Sequence, residues 1–198
     1  MFIKDYISKD YPAFSSTDLI EEANEMAKEF GFSHVFVKKK GVYQGAISQS
    51  FLEESPEGNL ASLEIHYEKF AILDDGNLLD SIKLFYTFNS NIVPVISKNE
   101  KYLGYLSCDD IFCEFSKYPL FSESGAILTI QTNGTHYSMI EICKIVESNN
   151  GKVYGCFINL IGDDFIQITL KISTENPSSI DETFERYGYT VVQKYYDD

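Results

Sequence analysis

Ser107-x-x-Asp110 is the pattern in this chain with the most chemical content. At the start of an apolar helical run the spacing puts Ser107 at the N-cap and Asp110 in the first turn, so a hydroxyl and a carboxylate face one opening. The same pattern serves equally as an ordinary capping arrangement. An earlier counterpart, Ser48-Gln49-Ser50-Phe51, keeps the hydroxyl and has phenylalanine in place of the acid. Lys38-Lys39-Lys40 offers charge for a phosphate, or a solvated hairpin tip. No catalytic set assembles. His34, His66 and His136 lie in separate stretches, and neither a Gly-x-Ser-x-Gly elbow nor a Gly-rich phosphate loop follows a strand. Asp74-Asp75 and Asp163-Asp164 fall in turns, where aspartate bonds its own backbone. Cys108, Cys113, Cys143 and Cys156 show no metal-ligand spacing and suit thiols in a reducing cytoplasm.

The elements that position these residues need a core, and 198 residues with 44% hydrophobic content suffice for one average domain or two smaller ones. The formal charge of −14 is shared by both ends of the chain, which disfavours nucleic acid and anionic membrane surfaces. Arg186 is the single arginine, so forked phosphate recognition has almost no donor. Charges at Lys4, Asp5, Lys9 and Asp10 interrupt the N-terminal apolar residues, and no stretch reaches membrane-spanning length. The expectation is a cytoplasmic protein.

An internal repeat organises the first two thirds. Asp18 to Phe30 carries a helical stripe of Leu19, Ile20, Ala23, Met26, Ala27 and Phe30, opened by Ser16, Thr17 or Asp18 as cap. Leu78, Ile82, Phe85 and Phe88 repeat it about fifty-eight residues later. The apolar runs His34 to Val37 and Ile92 to Val95 follow, each bounded by a polar turn and then by a second strand, Val42 to Ser48 and Tyr102 to Ser107. Two strand-helix-strand-strand-helix copies therefore occupy residues 1–60 and 61–120.

Val93-Pro94-Val95 and Tyr102-Leu103-Gly104-Tyr105-Leu106-Ser107-Cys108-Asp109-Asp110-Ile111 resemble the second half of a CBS motif. The resemblance extends to the first copy, with Phe36 in the proline position and Phe51 in the acidic one. It implies an adenosine derivative held in a cleft between the copies. Asp110 would accept hydrogen bonds from the ribose hydroxyls, Ser107 would cap the helix and meet phosphate, and Val93 and Pro94 would flank the base with Ile72 or Leu73. The first site, around Ser48, Val35 and Phe36, is expected to be degenerate for want of an acid.

Residues 123–198 change pattern: a strand from Ala126, a helix over Tyr137 to Asn150, a hairpin of Val153 to Leu160 and Phe165 to Ser173, a helix over Ile180 to Tyr187, and a last strand to Tyr195. The order βαββαβ is that of a ferredoxin-like sheet with both helices on one face. Placed after two CBS motifs, it resembles the ACT-like domain of CBS-CBS-ACT proteins, which include acetoin-utilisation regulators. The resemblance implies an effector loop at Asn133, Gly134, His136 and Tyr137, with Tyr137 where such domains carry glycine. The expected fold class is thus α+β, a tandem CBS pair plus an ACT-like domain. It implies a non-catalytic regulator without cofactor, answering to AMP, ADP or ATP, homodimeric, with a regulated protein partner. The alternative is a constitutive dimeric interaction module whose ligand sites are degenerate.

Overall fold

Hairpins alternating with amphipathic helices build the first of two units into which the chain divides, Met1–Glu114 and Phe115–Asp198. The computed structural model describes residues 2–134 and 137–196. The first copy runs β1 (Phe14–Ser15), α1 (Ile20–Phe30), β2 (His34–Lys39), β3 (Val42–Ser48), α2 (Gln49–Glu54). The second runs β4 (Ile72–Leu73), α3 (Leu78–Thr87), β5 (Ile92–Ile96), β6 (Tyr102–Ser107), α4 (Cys108–Phe115). Each copy has its own three-stranded sheet, ordered β1-β2-β3 and β4-β5-β6, with the outer strand parallel and the hairpin antiparallel. Registers repeat between copies: His34 faces Ser48 as Ile92 faces Ser107, and both hairpins slip at equivalent places, after Val37 and after Val95. The middle strands are apolar on both faces because both are covered; Val35, Phe36, Val37, Val93 and Val95 have no exposed surface.

α1 begins later than its sequence suggests and without a side-chain cap. The Asp18 carboxylate is taken by the Ser15 amide at 2.7 Å, and the Ile20 amide donates instead to the Gly58 carbonyl at 3.0 Å. A distant backbone segment thus supplies what Ser16, Thr17 or Asp18 was expected to supply.

The copies exchange their leading segments. Ser8, ahead of the first copy, pairs with Tyr105 in β6, while Glu68, ahead of the second, pairs with Ala46 in β3. Glycine makes both crossings possible: a Cβ at Gly104 would lie 2.3 Å from the Ser8 oxygen, and one at Gly45 2.7 Å from the Tyr67 Cβ. A second clasp joins equivalent residues of the two copies. The Ser33 amide donates to Asn91 Oδ1 at 2.9 Å, the Asn91 amide to Ser33 Oγ at 3.0 Å, and Asn91 Nδ2 to the Gly31 carbonyl at 2.8 Å. The carbonyls of the same two residues accept the first amides of α2 and α4, Gln49 N and Cys108 N. Both helix starts are thereby fixed to the line along which the copies meet.

In the second unit a short helix α5 (Pro119–Ser122) precedes β7 (Ala126–Asn133), α6 (Met139–Ser148), β8 (Lys152–Ile161), β9 (Phe165–Ser173), α7 (Pro177–Arg186) and β10 (Thr190–Tyr195). The antiparallel sheet has the order β10-β7-β9-β8. β9 alternates strictly, with Ile166, Ile168, Leu170 and Ile172 buried. They meet Ile142, Ile145 and Val146 of α6 and Ile180 and Phe184 of α7 in one core, so both helices cover the same face. Among the described residues no helix is long and apolar enough to cross a membrane.

Candidate functional site

The start of α4 is set by the β5–β6 ladder. Ile92 pairs with Ser107 at its end, the Asn91 carbonyl accepts the Cys108 amide at 2.9 Å, and the chain then turns into the helix. Asp110 lies exposed in the first turn, and Ser8 Oγ donates to its Oδ2 at 3.4 Å. The exchanged leader thus lies against this carboxylate. Its next residues are held too: the Tyr105 hydroxyl donates to Asp10 Oδ1 at 2.5 Å, and the Tyr11 ring lies 4.7 Å from Phe32 and 6.2 Å from Tyr105. Tyr11 is buried, and its hydroxyl has no hydrogen-bond partner among the described residues. Burial pushes the phenols of Tyr11 and Tyr105 above the usual range, and the Asp10 carboxylate raises Tyr105 further. Both remain neutral donors at physiological pH.

Val93 and Pro94 are buried opposite Leu106 and Tyr105, one and two steps along the ladder from Ser107. Ile72 and Leu73 pair with Val95 and Ile96, one and two residues beyond Pro94 in β5, with Ile72 buried and Leu73 exposed. Ser8, Asp10 and Tyr11 were not singled out from sequence. The repeat of Gly45 at Gly104 was the one mark of a close crossing there.

At the corresponding place in the first copy, beside α2, lies a cavity of about 260 Å³. Ser48 caps α2 by accepting the Phe51 amide at 3.3 Å, while Val35 and Phe36 are wholly buried behind it, paired with Ile47 and Ala46. Phe51, in the acidic position, packs against His66 with ring centres 4.7 Å apart. An acid nonetheless reaches the cavity from the other copy's leader. Glu68 Oε1 is 3.3 Å from His34 Nε2, and His34 Nδ1 is 2.9 Å from Ser33 Oγ. His34 is 3% exposed; burial lowers its pKa, and the Glu68 charge offsets this in part. Lys39 and Lys40 are exposed at the hairpin tip, away from this opening.

In the second unit Asn133 is exposed at the end of β7, the Gly134 amide donates to the Asp164 carbonyl at 3.3 Å, and Tyr137 is exposed before α6; His136 lies outside the described residues. A polar cavity of about 510 Å³ lies at the other end of α6, beside Asn149, Lys152 and Asn176. Among the described residues no three histidine, cysteine or acidic side chains come together as a metal group.

Solved structures share the architecture of part of this chain. A CBS domain pair/ACT domain protein from Thermotoga maritima matches 58% of this chain and 96% of its own, at 16% identity and a TM-score of 0.51. A CBS domain-containing protein from the same organism matches 59% and 95%, at 19% identity and 0.51. This chain contains the fold of a CBS domain pair. The CBS domains of a transcriptional regulator from Streptococcus pneumoniae match 57% of the chain and 97% of their own, at 16% identity and a TM-score of 0.50. No protein-family profile matches the sequence, and no curated protein matches it. At these identities the likeness concerns the fold, and function has to be argued from the side chains of the CBS pair.

Proposed function

We propose that this protein is a non-catalytic, cytoplasmic regulator whose CBS pair binds an adenosine nucleotide beside α4, with an ACT-like second unit for dimerisation or effector response. The observation that carries this is Asp110: an exposed carboxylate in the first turn of α4, next to Ser107 and already met by a hydroxyl, that of Ser8. A ribose diol would replace the Ser8 hydroxyl, Ser107 would turn toward phosphate, and the backbone of Val93 and Pro94 would lie along the base. The β10-β7-β9-β8 order with both helices on one face supports the ACT-like reading of the second unit. Leu79, Ile82 and Tyr86, exposed along α3, support a homodimer, and the free thiols of Cys108, Cys143 and Cys156 fit a reducing compartment.

Binding acts as a switch if the ligand prefers one arrangement of the two copies over another. Calorimetric titration with AMP, ADP and ATP is expected to give saturable heat that Asp110→Ala abolishes; no heat at millimolar nucleotide would overturn the reading. The packing of Phe30, Phe32 and Tyr105 around Tyr11 favours a second reading, a constitutive dimeric interaction module. A dimer and a captured protein partner that both ignore nucleotide would select it.

A further inference from the structure

Three sulfurs gather where α6 packs against β8, the edge strand of the second unit's sheet. Cys156 pairs with Leu170, so its side chain falls on the face that the helices cover. There its thiol donates to Met139 Sδ at 3.5 Å. Met139 opens α6 and Cys143 follows four residues on, so the two share one face of the helix. Both line a groove of about 550 Å³, together with Ile140, Lys144 and Glu147. Burial pushes the Cys156 thiol up to about 11, and the neighbouring Cys143 adds to the rise. Both thiols are free of disulfides.

The chemistry of these donors is narrow. Two thiols and a thioether are soft ligands, and such a set selects a soft monovalent ion, Cu(I). Structural zinc takes four thiolate, imidazole or carboxylate ligands. Among the described residues no third histidine, cysteine or acidic side chain joins the two cysteines in a metal group. The spacing fits as well. With metal–sulfur bonds of about 2.3 Å, three sulfurs in a flat trigonal array lie about 4.0 Å apart. The pair of Cys156 and Met139, at 3.5 Å, has to open by only about 0.5 Å to reach that spacing. Two thiolates and one monovalent cation leave a single negative charge, and Lys144 on the same groove is placed to offset it.

We propose that Met139, Cys143 and Cys156 form a three-coordinate sulfur site for Cu(I). Cysteine spacing alone conceals it, because the donors come from a helix and a strand and one of them is a methionine. The site is independent of the nucleotide reading of the CBS pair.

The test is anaerobic titration of Cu(I) into the reduced full chain against a chromogenic Cu(I) chelator. One equivalent should be retained by the unmodified chain and by the Cys108→Ser/Cys113→Ser double variant. Met139→Leu should weaken binding about tenfold, and Cys143→Ser or Cys156→Ser about a hundredfold or more, since even the outer-shell partners of a metal are worth about 10–100-fold. Serine at a partly buried thiol can loosen the fold, so the methionine methyl groups of the unmodified chain are also followed by NMR as Ag(I) is added. The Met139 methyl should shift and saturate at one equivalent, while those of Met1 and Met26 do not move. Cu(I) held as tightly by Cys143→Ser or Cys156→Ser as by the unmodified chain, or a Met139 methyl that ignores Ag(I), would overturn the proposal. So would a reduced chain that leaves Cu(I) with the chelator but closes a Cys143–Cys156 disulfide in air, which would make the pair a redox couple instead.

Discussion

Replacing Gly104 by alanine is expected to loosen the exchange of leaders that brings Ser8 to the Asp110 carboxylate. The added methyl would lie 2.3 Å from the Ser8 carbonyl oxygen and 2.5 Å from Ile7 Cγ2, both on the leader that crosses β6. Relief requires the leader to move and to surrender two hydrogen bonds, Ser8 N to the Tyr105 carbonyl at 2.8 Å and Tyr105 N to the Ser8 carbonyl at 3.0 Å. These contribute about 1 kcal/mol each. Gly104 also sits at φ +144°, where a side chain costs about another 1 kcal/mol. The sum is about 3 kcal/mol, a large part of the 5–15 kcal/mol typical of a folded domain. Gly41→Ala is the control: φ is +83° there but no atom lies within 4 Å, so only the backbone cost of about 1 kcal/mol applies. Urea denaturation should place the Gly104→Ala midpoint lower than that of Gly41→Ala by about 1 M, given slopes of roughly 1–3 kcal/mol per molar. Equal midpoints would refute the argument that close approach of the leader is what demands glycine.

Asn91→Ala removes a side chain that satisfies both the Ser33 amide and the Gly31 carbonyl, and a loss of about 1–2 kcal/mol is expected by urea denaturation. His34 has its pKa lowered by burial, so the unfolded chain binds a proton that the folded chain does not. Stability should therefore fall as pH drops through about 6.5 and level off below the folded-state pKa, and His34→Gln should flatten that fall, measured as melting temperature against pH. Burial pushes the Cys156 thiol up to about 11, while Cys113 is exposed. Iodoacetamide at pH 8 should label Cys113 well before Cys156, as read by peptide mass mapping.

Much of this architecture was legible because it repeats. The helical stripes, the Val-rich middle strands and the serines ahead of α2 and α4 recur at nearly constant spacing, and β9 alternates residue by residue. What escaped was the role of residues outside any periodic element. Ser8, Asp10 and Tyr11 lie in a leader with no regular pattern; Ser8 and Asp10 bond to residues more than ninety positions away, and Tyr11 packs on both Phe32 and Tyr105. Glu68 escaped likewise, because its partner His34 looks from sequence like the ordinary first residue of a strand. Ile72 and Leu73 illustrate a different limit: a two-residue strand is too short for its sequence to fix the pairing with Val95 and Ile96.

The claim that Asp110 belongs to a nucleotide site beside α4 is tested most directly by amide NMR of the isotopically labelled chain during titration with AMP. Saturable shifts concentrated at Ser107, Cys108, Asp109 and Asp110, together with Ser8 across the opening, are the predicted outcome. Shifts that appear only elsewhere in the chain, or none at millimolar AMP, would contradict it.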